Sequence, residues 1–385
     1  MDGFKASCKF KSNDSRMKTN RNEKIGVGII GLSAGSGWAG MAHIPALRVL
    51  PGYEIRALSA SNQVSAEAAA KKYDIPLFFD NATDLVLRPE VELAIVSVKV
   101  PEHRELVETV LRAGKMVYCE WPLAKNLREA KALADLAKEK NIPSFIGLQA
   151  RAVPAVRFLR DLILEDYVGE VLSTSVIGST GTWGGTVEPR SLYQMDINNG
   201  THVLSLSYSH MVDGLIWCLG NFKELSATLA NRRPQLKRAD TGESIVKTSH
   251  DHVAVTGILE NGAVVSIHYR AGLSRGTNFL WEINGTKGDL VVTSEQGNLQ
   301  FGQIKIHGGT GSEKRLTELS VPPKYQILPV PPGNIYYPIA QNYSDLLSDI
   351  HNGTHIVPTF EDAVKRHQMI EVIETAAHTG QRQKI

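Results

Sequence analysis

The amino-acid sequence predicts an α/β protein in two parts: a doubly wound parallel sheet, then an α+β domain with a mainly antiparallel open sheet. Three observations carry this prediction. Up to about residue 150 short β-rich runs alternate with helical stretches; beyond it strands are joined by turn pairs; and a glycine-rich segment follows the first strand.

Residues 1–24 carry seven Lys/Arg against three Asp/Glu and no apolar stretch, so a disordered, solvated tail is expected rather than a secretory signal. IGVGII (25–30), YEIRALSAS (53–61), VELAIVSV (91–98), KMVYCE (115–120) and IPSFIGLQ (142–149) read as strands. Between them, PEHRELVETVLRAGK places Leu106, Val107, Val110 and Leu111 on one helical face and stops at Gly114. NLREAKALADLAKEKN opens with Asn126 and Glu129 at capping-box spacing. Apolar strands alternating with helices are buried on both faces, which sets residues 25–150 as one parallel-sheet domain. Ligands then bind outside the carboxyl ends of the strands. Glu120, Trp121, Pro122 and Lys99 are expected at such ends. Over 151–385 the strand-like runs EVLSTSVIG, FKELSATLA, DHVAVTGIL, GAVVSIHYR, NFLWEING and GDLVVTS are punctuated by Asn261-Gly262 and Asn284-Gly285, and two helical runs close the chain.

Composition narrows the function classes. Hydrophobic residues make up 42% and charged residues 21%, net charge is +2, and no apolar run is long enough to span a membrane. The basic residues form no aromatic-interleaved block, so no direct nucleic-acid binding is expected. Cys8, Cys119 and Cys218 are dispersed and odd in number, which argues against structural zinc and for a reducing, cytoplasmic setting.

The loop GLSAGSGWAGMAHIPAL (31–47) sits between the first strand and a helix, where glycines let backbone N–H groups approach a pyrophosphate. Gly31, Gly35 and Gly37 are present, Ser33 takes the second position of G-x-G, and Trp38 closes the loop. This is a lengthened variant of the Rossmann fingerprint. The second strand ends Ser59-Ala60-Ser61, without the acid that would hold a ribose 2′-hydroxyl, so NADP(H) is favoured over NAD(H) unless these serines only make the turn.

Taken together, the glycine loop, Gly114-Lys115…Cys119-Glu120-x-Pro122-Leu123, Val168-Gly169-Glu170-Val171, His210-x-x-Asp213 and Asn284-Gly285-Thr286-Lys287-Gly288-Asp289 resemble the Gfo/Idh/MocA family. The resemblance implies an N-terminal Rossmann domain, a C-terminal α/β domain whose open sheet lines the substrate site and pairs protomers into a homodimer, and mostly NAD(P)-dependent oxidation or reduction of sugars, polyols and related compounds. Gly31-Leu32-Ser33-Ala34…Gly37-Trp38-Ala39, Glu120-Trp121 and Tyr193…Asp196-Ile197-Asn198-Asn199-Gly200 are more similar still to the branch of the fungal galactose-regulon repressors. These keep the fold and bind dinucleotide but inhibit transcription.

Two departures bear on chemistry. Trp121 stands where the family's Glu-Lys-Pro motif has its lysine; an indole N–H donates but does not titrate, so Trp121 can orient a ligand or stack on nicotinamide but not act as acid or base. Leu206 stands where the family's D-x-x-x-H has its aspartate, leaving His210 without that carboxylate. Three residues are candidates to compensate. His210 is a proton shuttle or a packed core histidine; Lys99 fills the missing lysine's space or snorkels to solvent; Tyr193 is a phenolic donor or an aromatic anchor. His103 matches a family histidine at a helix start, expected to cap and pack near the cofactor, and Glu120 is expected at the cofactor's ribose. His202 and His252 receive no role.

Two main classes follow. One is an NAD(P)-dependent oxidoreductase acting on a small-molecule substrate with a modified acid/base set. The other is a catalytically silent dinucleotide-binding regulator, with a protein partner and a nuclear location open to it. Redox-neutral isomerase or lyase chemistry is a third. No metal site is expected.

Overall fold

The computed structural model describes residues 24–35 and 37–385. The tail expected over 1–24, with Cys8, lies outside the described residues except for Lys24. The first domain runs β1 (Ile25–Ile30), α1 (Ile44–Arg48), β2 (Tyr53–Ser59), α2 (Gln63–Tyr73), β3 (Leu77–Phe79), α3 (Ala82–Val86), β4 (Leu93–Val96), α4 (Val100–Arg112), β5 (Met116–Glu120), α5 (Leu127–Glu139) and β6 (Ser144–Gly147). All strand pairs are parallel, in the order β3-β2-β1-β4-β5-β6. Strands β1, β4 and β6 are buried at every residue, as helices on both faces require. Strand order reverses between β1 and β4, and the crevice at their carboxyl ends is where this topology places a ligand. Local signals fix the helix ends. Asn62 and Asn126 accept the Ser65 and Glu129 N–H groups at 2.9 and 3.0 Å.

The second part begins with α6 (Pro154–Leu164) and continues through β7 (Val171–Thr180), β8 (Thr186–Val187), α7 (Ser209–Leu219), β9 (Phe222–Ala230), β10 (Gln235–Arg238), β11 (Ser244–Val246), β12 (His252–Leu259), β13 (Val264–Ala271), β14 (Phe279–Gly285), β15 (Gly288–Ser294), β16 (Ile304–Thr310) and β17 (Thr317–Glu318). Helices α8 (Tyr337–Asn352) and α9 (Phe360–Thr379) and strand β18 (Gln383–Lys384) close the chain. A nine-stranded sheet has the order β17-β16-β15-β14-β7-β13-β12-β9-β18, and β8, β10 and β11 form a separate three-stranded sheet. Within the large sheet β7 and β13 pair in parallel and all other neighbours are antiparallel.

The two parts are stitched together at the site. Ile339, Ala340, Tyr343 and Leu346 of α8 share a buried cluster with the β1 and β4 side chains. The segment before α9 extends the first sheet, the Ile146 N–H donating to the Pro358 carbonyl at 2.8 Å. Arg151, just past β6, forks onto Asp213 of α7 at 2.7 and 2.8 Å. Among the described residues no helix is long and apolar enough to cross a membrane.

Candidate functional site

The glycines after β1 divide into two kinds. Gly31 has φ +93°, and a Cβ there would lie 2.4 Å from Val98 and 2.5 Å from the Ser97 carbonyl, so the fold itself requires glycine. At Gly35 and Gly37 a Cβ would meet only the Ser33 hydroxyl, at 3.8 and 3.6 Å. Among the described residues no other side chain comes within 4 Å of that space, and the loop enters a helical turn at Trp38 and Ala39. These residues fit a dinucleotide, whose pyrophosphate needs bare backbone at this position. Ser33 and Ser61 are exposed and Ser59, the last residue of β2, is buried, so of Ser59 and Ser61 only Ser61 has its side chain open to solvent. The carbonyl of Ser59 instead accepts the Gly31 and Leu32 N–H groups at 3.0 and 3.2 Å. Trp38 is half-buried, its indole N–H has no partner among the described residues, and its ring lies 6.4 Å from that of Phe301 in the β15–β16 loop.

At the end of β5 Glu120 is held from several sides. Its Oε1 lies 3.1 Å from His43 Nε2, and the Gln149 amide N–H group reaches both carboxylate oxygens, at 3.2 and 2.9 Å. His43 Nδ1 in turn meets the Tyr343 hydroxyl at 2.5 Å. Trp121, before a cis peptide bond to Pro122, departs from one of its two expected roles, orienting a ligand through its N–H. It is buried, its N–H donates to the Ser205 carbonyl at 2.7 Å, and its ring packs on His367 at 4.7 Å. The N–H is therefore spent within the fold and is not open to orient a ligand. His103 does not cap α4, whose N-cap is Lys99. Its Nδ1 and Nε2 instead lie 2.8 and 3.2 Å from the carbonyls of Pro122 and Val98, tying the two strand ends together; burial lowers its pKa against these contacts.

Across the two domains the structure joins two of the three compensating candidates. Strand β4 stops at Val96, so Lys99 is an exposed helix N-cap rather than a strand end. Its ammonium lies over the Tyr193 ring, 5.5 Å from the centroid. Tyr193 belongs to a 3₁₀ stretch, Pro189–Met195, and burial raises its phenol pKa, opposed by hydrogen bonds with Gln194 and Thr201. His210, in the first turn of α7, is 5% exposed and its Nδ1 has no partner among the described residues. Burial lowers its pKa to about 4, with Glu120 and Asp213 pulling the other way, so the ring is neutral at neutral pH. Asp213, three residues on, is committed to Arg151 and cannot replace the family aspartate. Leu206 is half-buried in the turn Leu204–Tyr208.

His43, Gln149, Gln300 and His367 were not singled out from the sequence. His43 and Gln149 lie within runs read as loop and strand, and nothing local distinguishes them; only the fold brings them to Glu120. Among the described residues no group of three or more His, Cys, Asp or Glu is placed to hold a metal ion.

A doubly wound sheet with a glycine-rich loop at its switch point, beside a second domain built on an open sheet, defines the class: a Rossmann-type dinucleotide-binding protein. Residues 25–147 match the oxidoreductase family with an NAD-binding Rossmann fold, Gfo/Idh/MocA, and residues 154–294 match the C-terminal domain of Gal80p. The chain thus resembles the Gfo/Idh/MocA family in its first domain and Gal80p in its second. It is 29% identical to the galactose/lactose metabolism regulatory protein GAL80 of Kluyveromyces lactis over 77% of this chain and 70% of that protein. It is 28% identical to dehydrogenase aclE of Aspergillus oryzae over 94% and 98%. A super-repressor mutant of Gal80p from Saccharomyces cerevisiae superposes with a TM-score of 0.84 at 24% identity, covering 94% of this chain and 98% of that one.

Proposed function

We propose that the protein is an NAD(P)-dependent oxidoreductase that moves hydride between a nicotinamide ring and the carbonyl or hydroxyl carbon of a small molecule, a sugar, polyol or natural-product intermediate. The observation that carries this reading is the Lys99 ammonium over the Tyr193 ring, at the start of the helix that follows β4. The dinucleotide, when bound, supplies the hydride chemistry. Gly35 and Gly37 leave its pyrophosphate room, and Glu120 accepts from its ribose hydroxyls. In reduction the substrate carbon gains hydride and its oxygen gains the Tyr193 proton. The phenolate left behind is stabilised by the adjacent Lys99 cation and regains a proton from water. His210 is a neutral hydrogen-bonding partner for the substrate oxygen, because a group of pKa about 4 does not hold a proton at neutral pH. NADP(H) is preferred, since β2 ends without an acid and with the exposed Ser61 hydroxyl.

A second copy of the chain covers the outer face of the large sheet, where Leu172, Ile177 and Val264 are exposed beside Ser175, Ser266 and Thr256. A cytoplasmic location accompanies this reading. A regulator is the second reading, favoured by Trp121, which fills the lysine position with a side chain that cannot titrate. The co-linear match to a dehydrogenase over 98% of its length supports the enzyme. The test is a panel of aldehydes, ketones and sugars with NADPH: turnover that Tyr193→Phe abolishes supports the reading, and binding of NADPH without turnover of any member favours the regulator.

A further inference from the structure

The β15–β16 loop of the second domain reaches over the dinucleotide crevice at two points. Phe301 lies beside Trp38, and the Gln300 amide donates to Gln149 Oε1 at 3.0 Å. The loop is anchored behind these residues: Leu299 is fully buried, the Tyr269 hydroxyl donates to the Gly297 carbonyl at 2.5 Å, and the Gly302 N–H donates to the Gly333 carbonyl at 3.1 Å. Gln149 is 1% exposed, so both ends of its amide must be satisfied by the protein. A carboxylate only accepts, which turns the Gln149 NH₂ toward Glu120; its oxygen is then left for Gln300. A Cβ at Gly147 would come within 2.9 Å of Glu120 Oε1 and 3.0 Å of Gln149 Nε2, so the bare backbone there leaves room for the pair.

We propose that Gln149 is a positioning residue for the dinucleotide, holding the Glu120 carboxylate toward the ribose, and that Gln300 sets the orientation of the Gln149 amide from the other domain. This rests on the reading of Glu120 as the ribose acceptor. The hydrogen-bond chain runs in one direction, Gln300 to Gln149 to Glu120, so its effect depends on Gln300 being a donor. Gln300→Glu would invite the Gln149 NH₂ to itself and turn the Gln149 oxygen onto Glu120. Gln300→Lys keeps a donor.

The experiment titrates the full-length native protein and its variants with NADPH by nicotinamide fluorescence, with a thermal melt of each variant. Gln149→Leu and Gln300→Glu are each expected to weaken binding about 10-fold, the scale of one lost hydrogen bond to a charged group. Gln300→Lys is expected within about 3-fold of the native protein, and Gln149→Leu/Gln300→Glu no weaker than Gln149→Leu alone, because Gln300 acts only through Gln149. A merely structural role would make Gln300→Glu and Gln300→Lys equivalent and the double variant additive. If Glu120→Gln weakens binding while Gln149→Leu and Gln300→Glu do not, the proposal is overturned and the ribose reading stands. If Glu120→Gln binds as the native chain does, or the native chain binds no dinucleotide, that reading falls and takes the proposal with it. Should Gln149→Leu fail to fold, the Gln300→Glu and Gln300→Lys pair decides alone.

Discussion

Replacing the loop glycines one at a time separates what the fold needs from what the ligand needs. At Gly31, alanine would adopt φ +93° and push its methyl to 2.4 Å from Val98 and 2.5 Å from the Ser97 carbonyl. Backbone strain of about 1–3 kcal/mol and overpacking of about 1–3 kcal/mol add to a loss of roughly 2–6 kcal/mol for Gly31→Ala. At Gly37 the methyl would meet only the Ser33 hydroxyl, at 3.6 Å. The stability of Gly37→Ala should therefore stay within about 0.5 kcal/mol of the native value. Its cost should appear in binding. A methyl in the space where backbone N–H groups meet the pyrophosphate removes one or more charge-assisted hydrogen bonds, about 1.5–3 kcal/mol each, or roughly 10- to 150-fold in Kd. Urea unfolding gives the first quantity and NADPH fluorescence titration the second. A Gly37→Ala protein that binds NADPH like the native chain, or that unfolds as readily as Gly31→Ala, would refute the assignment of this loop as a cradle.

Tyr193→Phe should lower turnover by about 10²–10⁴-fold with little change in NADPH affinity, and Lys99→Met by a smaller factor, about 2- to 5-fold, the scale of an exposed cation–π contact; steady-state kinetics check both. Because burial raises the Tyr193 pKa above 10.0, carbonyl reduction should hold its rate through the neutral range and fall only in strong alkali. Trp121→Phe leaves the Ser205 carbonyl without its donor and should cost about 1–3 kcal/mol in urea unfolding while NADPH affinity stays within about 2-fold. Acid should destabilise the protein. Burial lowers His210 from 6.5 to about 4 and His202 and His367 to about 3, so as pH falls the unfolded chain takes up their protons first. Stability is fully present above about pH 6.5 and is lost toward pH 4 and below; His210→Gln should remove roughly 3 kcal/mol of that loss, read from urea midpoints across the range.

The first domain was legible because its signals are local. Apolar runs define β1, β4 and β5, the Gly114 stop ends α4 and the Asn126 cap starts α5, and an observer needs no distant residue to read them. The glycine loop was legible as a loop, but not the division of its glycines, since only the neighbours Val98 and Ser97 show why Gly31 differs from Gly37. In the second domain β12 to β15 follow from alternation and turn pairs. Strand β16, IKIHGGT, was not singled out, because its glycines hide the pattern, and the two-residue strands β8, β17 and β18 exist only by pairing with partners. The site was the least legible part. Lys99 and Tyr193 were named separately, and nothing in the sequence places one over the other. The fate of Trp121 depends on Ser205, 84 residues away, and that of Gln149 on Gln300, 151 residues away. Side chains of ordinary type become a site when topology brings together segments that carry no mark of each other.

Hydride transfer itself is the most direct test. NADPH deuterated at the ring carbon that gives up hydride is incubated with the native protein and a panel of carbonyl compounds, and the products are weighed by mass spectrometry. Deuterium on the former carbonyl carbon of at least one product, with the yield of labelled product falling about 10²–10⁴-fold in Tyr193→Phe and retained in Trp121→Phe, is the expected result. Tight NADPH binding with no deuterium in any product would contradict the enzyme reading and leave a dinucleotide-binding regulator in its place.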